Sequence, residues 1–369
     1  MKIKTVHKFS LGALSEKEAK SLVVLELIRK KKIASRKDIS NETGINIVSV
    51  SNYVKDFMEE NLLVEEGIDV STGGRKPELI ELNAKENYAL GVDTGETMWR
   101  YSLVDIGLKK ICGVKKQVSE FKDKDASAVI EDITNQMAGE AGIKLQSVRA
   151  VGIAVSDDTR AAGLESLEKR FGNNFYICDH ATCAAFGEKY LNDKCGVENL
   201  LYIYSDLGAA LVLKGENLKQ VDGEDLKYLR SWGKYFSIDE MARREIARGV
   251  GTRMVEITGA DTRMITKSTV IEAARQNDEA ALNILGGVGM NLGFRISYLI
   301  NLFSPEVVLI NGGIEAAGDL LLEPIKKAVK KFALKSRLGK IDITPGILGN
   351  DAVSLGAASL AVREIFLKA

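Results

Sequence analysis

The sequence predicts a two-lobed α/β protein preceded by a small α+β winged helix-turn-helix domain. Two patterns lead there. From residue 83 onward, strand-length apolar runs alternate with helical periodicities in two similar halves, the order that builds a layered α/β architecture. Ahead of them, residues 1–82 hold capped helical segments followed by two short strands around a Gly-rich tip, the order of a winged helix-turn-helix. At 369 residues the chain has length for two or three domains.

The first helix is expected from Ser15, a capping residue, to about Lys32. Leu22, Val23, Leu25, Glu26, Leu27 and Ile28 give it one apolar face, and Lys30 to Lys32 suit the negative end of its dipole. Ser35 caps a short second helix that stops at Gly44, with Asp38 in its first turn. Asn46 caps the third, I-V-S-V-S-N-Y-V-K-D-F-M-E-E, in which Val50, Val54, Phe57 and Met58 recur at helical spacing and should face the core. Val48, Ser49, Asn52 and Lys55 project on the other side. Small polar residues near a helix start let it enter a major groove, where an Asn side chain matches an adenine edge. Ser49, Ser51, Asn52 and Lys55 are therefore the expected operator contacts of a recognition helix. Leu62–Glu66 and Glu78–Leu82 read as wing strands, and Arg75 and Lys76 in S-T-G-G-R-K-P are placed to reach phosphates or a minor groove. A solvated helical cap without a DNA role is the alternative, since residues 1–82 carry 14 Lys and Arg against 13 Asp and Glu.

Composition excludes several classes. Lys plus Arg (51) equal Asp plus Glu (51), so no global basic field advertises nucleic acid, and any DNA contact must be local. Charged residues at 28% and hydrophobic ones at 45% fit a folded protein. Apolar runs are too short for a membrane span, and the start lacks a signal-peptide core. Cys112, Cys178, Cys183 and Cys195 have no C-x-x-C spacing, and only His7 and His180 could join them. Free thiols in a reducing cytoplasm are expected, with no zinc site and no other metal or cofactor.

The lobes begin with Y-A-L-G-V-D-T-G-E-T, residues 88–97, a buried strand that breaks into a tight turn at Asp93, Gly95 and Thr97. Such a turn either cradles a phosphate or is an ordinary strand end. A strand pair follows at 100–105 and 109–115, then a helix at 126–141 and strands at 148–155 and 175–178. The Ala-rich segment 179–190 reads as a helix. Strands at 200–204 and 209–214, helices at 237–249 and 280–303, and a strand at 306–309 running into N-G-G complete the second half.

G-V-D-T-G-E-T, D-H-A-T-C-A-A-F-G-E, N-L-F-S-P-E-V-V-L-I-N-G-G-I and I-L-G-N-D-A-V-S-L-G-A-A-S-L-A together resemble the ROK family (repressor, open reading frame, kinase). Residues 1–82, with T-G-G-R-K-P before E-L-N, resemble the winged helix of its regulator branch. The resemblance implies an actin-like ATPase fold with lobes at 83–200 plus 352–369 and at 201–351. Family kinases bind a hexose and ATP, and family regulators bind a sugar-type effector that alters operator affinity.

The sequence departs from the kinase pattern at each chemical position. Aligned on Gly187-Glu188, the family's E-N-D-A-N-A-A-A-L-G-E becomes C-D-H-A-T-C-A-A-F-G-E. His180 then stands in the aspartate slot, Asp179 and Thr182 in the flanking asparagine slots. The second phosphate loop, G-T-G-I-G in the kinases, is S-D-L-G-A, with Asp206 where polyphosphate would lie. Glu96 and Met98 replace a Gly and a Lys in the first loop. The family's zinc segment is missing, and of its sugar-contacting E-x-G-H only Glu224 remains. Phosphoryl transfer needs a positioned base and electropositive surroundings for the phosphates, so these changes together imply a non-enzyme. The expectation is a DNA-binding transcriptional regulator of carbohydrate-related genes, a homodimer on a palindromic double-stranded operator. Asp179, His180 and Glu224 are its candidate contacts for a sugar or sugar-phosphate effector. Asp93, Gly95, Thr97, Gly312 and Gly313 are a vestigial nucleotide site. A kinase using His180 as base and an effector-independent dimeric scaffold are the alternatives.

Overall fold

The computed structural model describes residues 14–68, 78–95, 97–121, 124–155, 167, 171, 174–192, 197, 199–204, 208–212, 237–339 and 341–369. The chain divides into two compact units, Met1–Leu191 with Asp351–Ala369, and Asn192–Asn350.

The first unit opens with three helices, α1 (Glu16–Lys31), α2 (Arg36–Thr43) and α3 (Ile47–Glu59). Ser15 and Glu18 close a capping box on α1, and Ser35 and Asp38 close one on α2. Gly44, at φ 71°, ends α2 in the left-handed conformation that glycine adopts without strain. The Asn46 side chain accepts from Ser49 N–H at 2.8 Å to start α3. The buried face of α1 is Leu22, Val24, Leu25 and Ile28, while Val23 points outward, because a 3.6-residue turn selects 24 rather than 23. Ile39, Val50, Val54, Phe57, Leu62 and Ile80 are buried in the same domain. Met58 lies one step round the helix from Phe57 and is only half-buried.

The wing strands β2 (Leu63–Ile68) and β3 (Glu78–Leu82) pair antiparallel. A third strand, β1 (Ile33–Ser35), joins the far edge of β3. Three residues are too few for alternation to announce a strand, and β1 was not expected.

A polar knot follows the wing. Asn61, at φ 58°, accepts from Asn83 and from Asn87, whose Nδ2 lies 2.8 Å from its carbonyl. Asn87 is buried and accepts at 3.0 Å from Arg149, which also donates at 2.9 Å to the carbonyl of Glu60. The end of α3 is thereby bonded to the sheet behind it. At α1, Arg29 pairs with Glu26 at 2.8 Å and stands 5.6 Å from the ring of Tyr190.

That sheet contains β4 (Tyr88–Thr94), β5 (Met98–Asp105), β6 (Lys110–Gln117), β7 (Val148–Val155) and β8 (Phe175–Asp179), in the order β6-β5-β4-β7-β8. β4, β7 and β8 run parallel, and β5 and β6 complete a meander. α4 (Ala126–Glu140) covers it with Val129, Ile130, Ile133 and Met137. α5 (His180–Leu191) follows β8 directly.

In the second unit β9 (Leu200–Tyr204), β10 (Gly208–Val212), β11 (Val307–Asn311) and β12 (Asp342–Pro345) form a sheet ordered β10-β9-β11-β12. β10 is antiparallel to β9, and β9, β11 and β12 are parallel, repeating the arrangement of the first sheet. Its helices include α6 (Ile238–Ala247), α7 (Lys267–Arg275), α8 (Glu279–Phe303) and α9 (Asp319–Phe332). α8 and α9 cross closely, since a Cβ on Gly293 would stand 2.4 Å from the Ile325 carbonyl oxygen.

The chain ends in α10 (Ala352–Lys368), which returns to the first unit and is buried from Ala352 to Phe366. Its contact with α5 is backbone to backbone. A Cβ on Gly356 would lie 1.6 Å from the Cys183 carbonyl oxygen, and one on Gly91 would lie 1.8 Å from that of Ser354.

Candidate nucleic-acid interface and the altered kinase slot

On α3, Asn52 and Lys55 are exposed and Ser49 is half-exposed, so spacing and structure put them on one side of the helix. The Lys55 ammonium is 3.6 Å from Glu59, a surface pair that a phosphate could displace. Ser51 is turned inward along the helix, its hydroxyl donating to the Ile47 carbonyl at 2.8 Å. Beside these polar residues stand Ile47 and Val48, the latter 67% exposed. Sequence reasoning placed Val48 on the outer face but assigned neither residue a role. Apolar groups at the start of a recognition helix suit thymine methyls. Arg36, at the start of α2, bonds Glu78 at 2.6 Å and holds the helix pair to the wing. Arg75 and Lys76 lie outside the described residues, as do Glu96, Asp206, Glu224 and Cys195.

The turn after β4 is built by strand register. Asp93 of β4 stands opposite Arg100 of β5, and their side chains meet at 3.6 Å. Gly95 sits in the connection because a Cβ there would lie 2.6 Å from the Met98 carbonyl oxygen. Thr97 is exposed and its carbonyl accepts from Val118 N–H at 3.0 Å. Thr94 is buried and donates to the Ala154 carbonyl at 2.7 Å, fixing β4 against β7.

Asp93 is buried and meets His180. Nε2 of His180, a residue 4% exposed, stands 3.1 Å from Oδ1 of Asp93. The geometry is a close approach rather than an aligned hydrogen bond, and it is an ion pair when the imidazole is protonated. The side chain in the kinase-base slot thus faces the carboxylate of the first turn. Asp179 starts α5. Its Oδ1 accepts from Thr182 N–H at 2.9 Å and its Oδ2 from the Thr182 hydroxyl at 2.6 Å. D-H-A-T is therefore a helix-start motif, a pattern that the spacing of Asp179 and Thr182 displays in the sequence. The structure brings Asp93, Asp179 and His180 into one neighbourhood of the first unit.

In the second unit, Asn311 is buried at the end of β11. Its Oδ1 accepts from Gly312 N–H at 2.8 Å, and its amide donates to the Gly349 carbonyl at 3.4 Å. Gly312 and Gly313 follow at φ 86° and 89°. A Cβ on Gly313 would meet nothing within 4 Å, so conformation rather than space requires glycine there. Among the described residues no group of three or more His, Cys, Asp or Glu is arranged to hold a metal ion. Cys112, Cys178 and Cys183 are free thiols. No helix among the described residues is long and apolar enough to cross a membrane.

Residues 244–364 match the ROK family model. The chain carries a ROK family domain. The similarity to known proteins extends beyond that domain. The xylose repressor of Caldicellulosiruptor bescii is 23% identical over 95% of this chain and 96% of its own length. The transcriptional dual regulator NagC of Escherichia coli is 23% identical over 95% of this chain and 93% of its own. In structure, a ROK family transcriptional regulator homologous to the E. coli MLC protein superposes with TM-score 0.74 at 20% identity, covering 95% of this chain and 98% of that one. A ROK family glucokinase from Streptomyces griseus, solved with glucose and AMPPNP, gives 0.59 at 20% identity. It covers 74% of this chain and 99% of its own. The fold is the actin-like one shared by ROK regulators and ROK sugar kinases, with the winged-helix elements in front.

Proposed function

We propose that this ROK protein is a DNA-binding transcriptional repressor of carbohydrate-related genes. Residues 1–82 read the operator. The lobes, 83–200 with 352–369 and 201–351, assemble a cytoplasmic homodimer and sense a sugar-type effector. The observation that carries the reading is α3. It is a capped helix whose inner face is buried to Val50, Val54 and Phe57 and whose outer face offers Val48, Ser49, Asn52 and Lys55. A relative named as a repressor and one named as a dual transcriptional regulator match through this region as well as through the lobes. A two-fold dimer of such helices fits a palindromic double-stranded operator, Asn52 to a base edge, and Arg75 and Lys76 to the backbone.

Phosphoryl transfer is absent in this reading. Family kinases place an aspartate where this chain has His180, and here that imidazole is buried against Asp93. Asp179 spends both carboxylate oxygens on Thr182. The turns at Asp93, Gly95 and Thr97 and at Gly312 and Gly313 persist as structure, held by strand register and backbone conformation. An effector of the sugar or sugar-phosphate class meets the first unit at the His180 end of α5.

Selection of bound fragments from genomic DNA tests the regulator reading, and recovery of no enriched sequence would end it. An ATP-consumption assay across hexoses and amino sugars tests the loss of chemistry, with no sugar-dependent turnover expected. Thermal shift against the same sugars and their phosphates tests sensing, because a ligand that binds only the folded state raises the melting temperature.

A further inference from the structure

Helix α3 ends without a cation of its own. Its last turn holds no basic residue, and Glu59 and Glu60 close it. A helix C-terminus leaves carbonyls unbonded and carries partial negative charge, so a cation is favourable there. In this chain the cation comes from the lobe. Arg149 of β7, 89 residues away, donates through Nη1 to the Glu60 carbonyl at 2.9 Å and to Asn87 at 3.0 Å. Its Nη2 stands 3.6 Å from the Glu60 carboxylate. Asn87 passes the contact on, donating to the Asn61 and Asn83 carbonyls at 2.8 and 2.9 Å. Helix α1 has a second seat on the lobe. Arg29, largely buried and paired with Glu26, lies over the ring of Tyr190 at the end of α5, and Tyr190 is hydrogen-bonded to Arg363 of α10. A connecting peptide alone would leave the winged-helix domain free to turn. Bonds at α3 and at α1 fix its direction as well.

We propose that Arg149 is a positioning residue for operator binding: its fork locks the winged-helix domain in one orientation on the lobe, and so sets the half-site separation that a dimer accepts. This role presupposes a dimeric DNA-binding regulator and adds what determines the spacing of its operator. Half-site spacing in such dimers is a geometric property of how the two reading helices are held. A tilt of about 10° at a lever of roughly 20 Å, the scale of a domain this size, moves the base-reading side chains by about 3.5 Å, one base-pair step. One loosened contact therefore changes which operators fit. A guanidinium suits the task, since its planar fork bonds two acceptors in fixed directions, whereas an ammonium is an adjustable point charge.

Fluorescence anisotropy of the full chain tests this on the selected operator, on the same operator lengthened at its centre by two base pairs, and on a single half-site. Wild type should bind the lengthened operator at least ~100-fold more weakly, the avidity forfeited when both half-sites cannot be engaged together. Arg149→Ala should shrink that ratio below ~10-fold while keeping half-site affinity within about twofold of wild type. Arg29→Ala, at the other seat, should shrink it too, and it carries the test if urea denaturation shows that Arg149→Ala does not fold. Lys116→Ala, at a surface ion pair with Glu120, should keep the wild-type ratio. A purely stabilising role for Arg149 would lower affinity for all the duplexes alike and leave the ratio unchanged. A folded Arg149→Ala or Arg29→Ala protein with the wild-type ratio, or a Lys116→Ala protein with a relaxed one, overturns the proposal. A wild type that binds the operator specifically but tolerates the insertion overturns the proposal alone. A wild type that prefers none of these duplexes to scrambled DNA overturns the regulator reading with it.

Discussion

Replacing His180 by aspartate would restore the residue type of the kinase slot, and the structure makes this an electrostatic experiment. In the native chain the imidazole Nε2 is 3.1 Å from Asp93 Oδ1, both side chains are buried, and Arg100 stands 3.6 Å from the other Asp93 oxygen. His180→Asp exchanges the imidazole for a second carboxylate at about 4 Å. Two like charges at that distance repel by about 4 kcal/mol at an effective dielectric constant of 20. Protonation limits the loss, since holding one carboxyl neutral costs about 1.4 kcal/mol per pH unit above its ordinary value near 4. The deficit relative to wild type should therefore reach about 4 kcal/mol at pH 7 and fall to about 1.5 kcal/mol at pH 5. The sign follows from linkage. The introduced carboxyl has a raised pKa in the folded state, so its relative stability is full below pH 4 and is lost as pH rises. Urea denaturation at pH 5 and pH 7 reads the difference directly. A deficit under about 1 kcal/mol at both pH values would refute the buried pairing. Sugar-dependent ATP consumption by His180→Asp should remain absent.

Other perturbations test other joints. Gly356→Ala should destabilise by at least ~3 kcal/mol, measured by denaturant midpoint, because the obstacle 1.6 Å from its Cβ is the Cys183 backbone, which cannot rotate away. Arg149→Ala removes bonds to the Glu60 carbonyl and to buried Asn87, and should cost about 2 kcal/mol while raising amide exchange near Asn83 to Asn87. Asp278 accepts from Thr252, from Arg253 N–H and from Ala281 N–H, so Asp278→Ala should cost ~1–2 kcal/mol in the same denaturation assay. Burial opposes its charge, but those donors outweigh burial and hold its carboxyl below the ordinary value. Its contribution is full at neutral pH and lost as pH falls below about 4, so the variant and wild type should converge in acid.

The caps Ser15, Ser35 and Asn46 were legible because each is a local side-chain-to-backbone bond spanning three residues. The inner face of α3 was legible for the same reason of range, through the recurrence of Val50, Val54 and Phe57. β1 was not, since three residues become a strand only by pairing with β3. The dual burden on Asp179 was present in the sequence as a helix-start spacing, and the family comparison drew attention instead to its slot. The meeting of His180 with Asp93 and of Arg149 with Glu60 depends on strand register and sheet order across long separations, which residue patterns do not encode.

The central claim, that α3 reads DNA for a repressor whose kinase chemistry is gone, is tested most directly by fluorescence-anisotropy titration of a selected genomic fragment. Wild type and Asn52→Ala would be compared on that fragment and on a scrambled duplex at fixed salt. The account predicts tight wild-type binding to the selected fragment, weakened about 5- to 150-fold by Asn52→Ala, the loss expected for one bidentate base contact, with scrambled-duplex affinity unchanged. Equal wild-type affinity for both duplexes would contradict it.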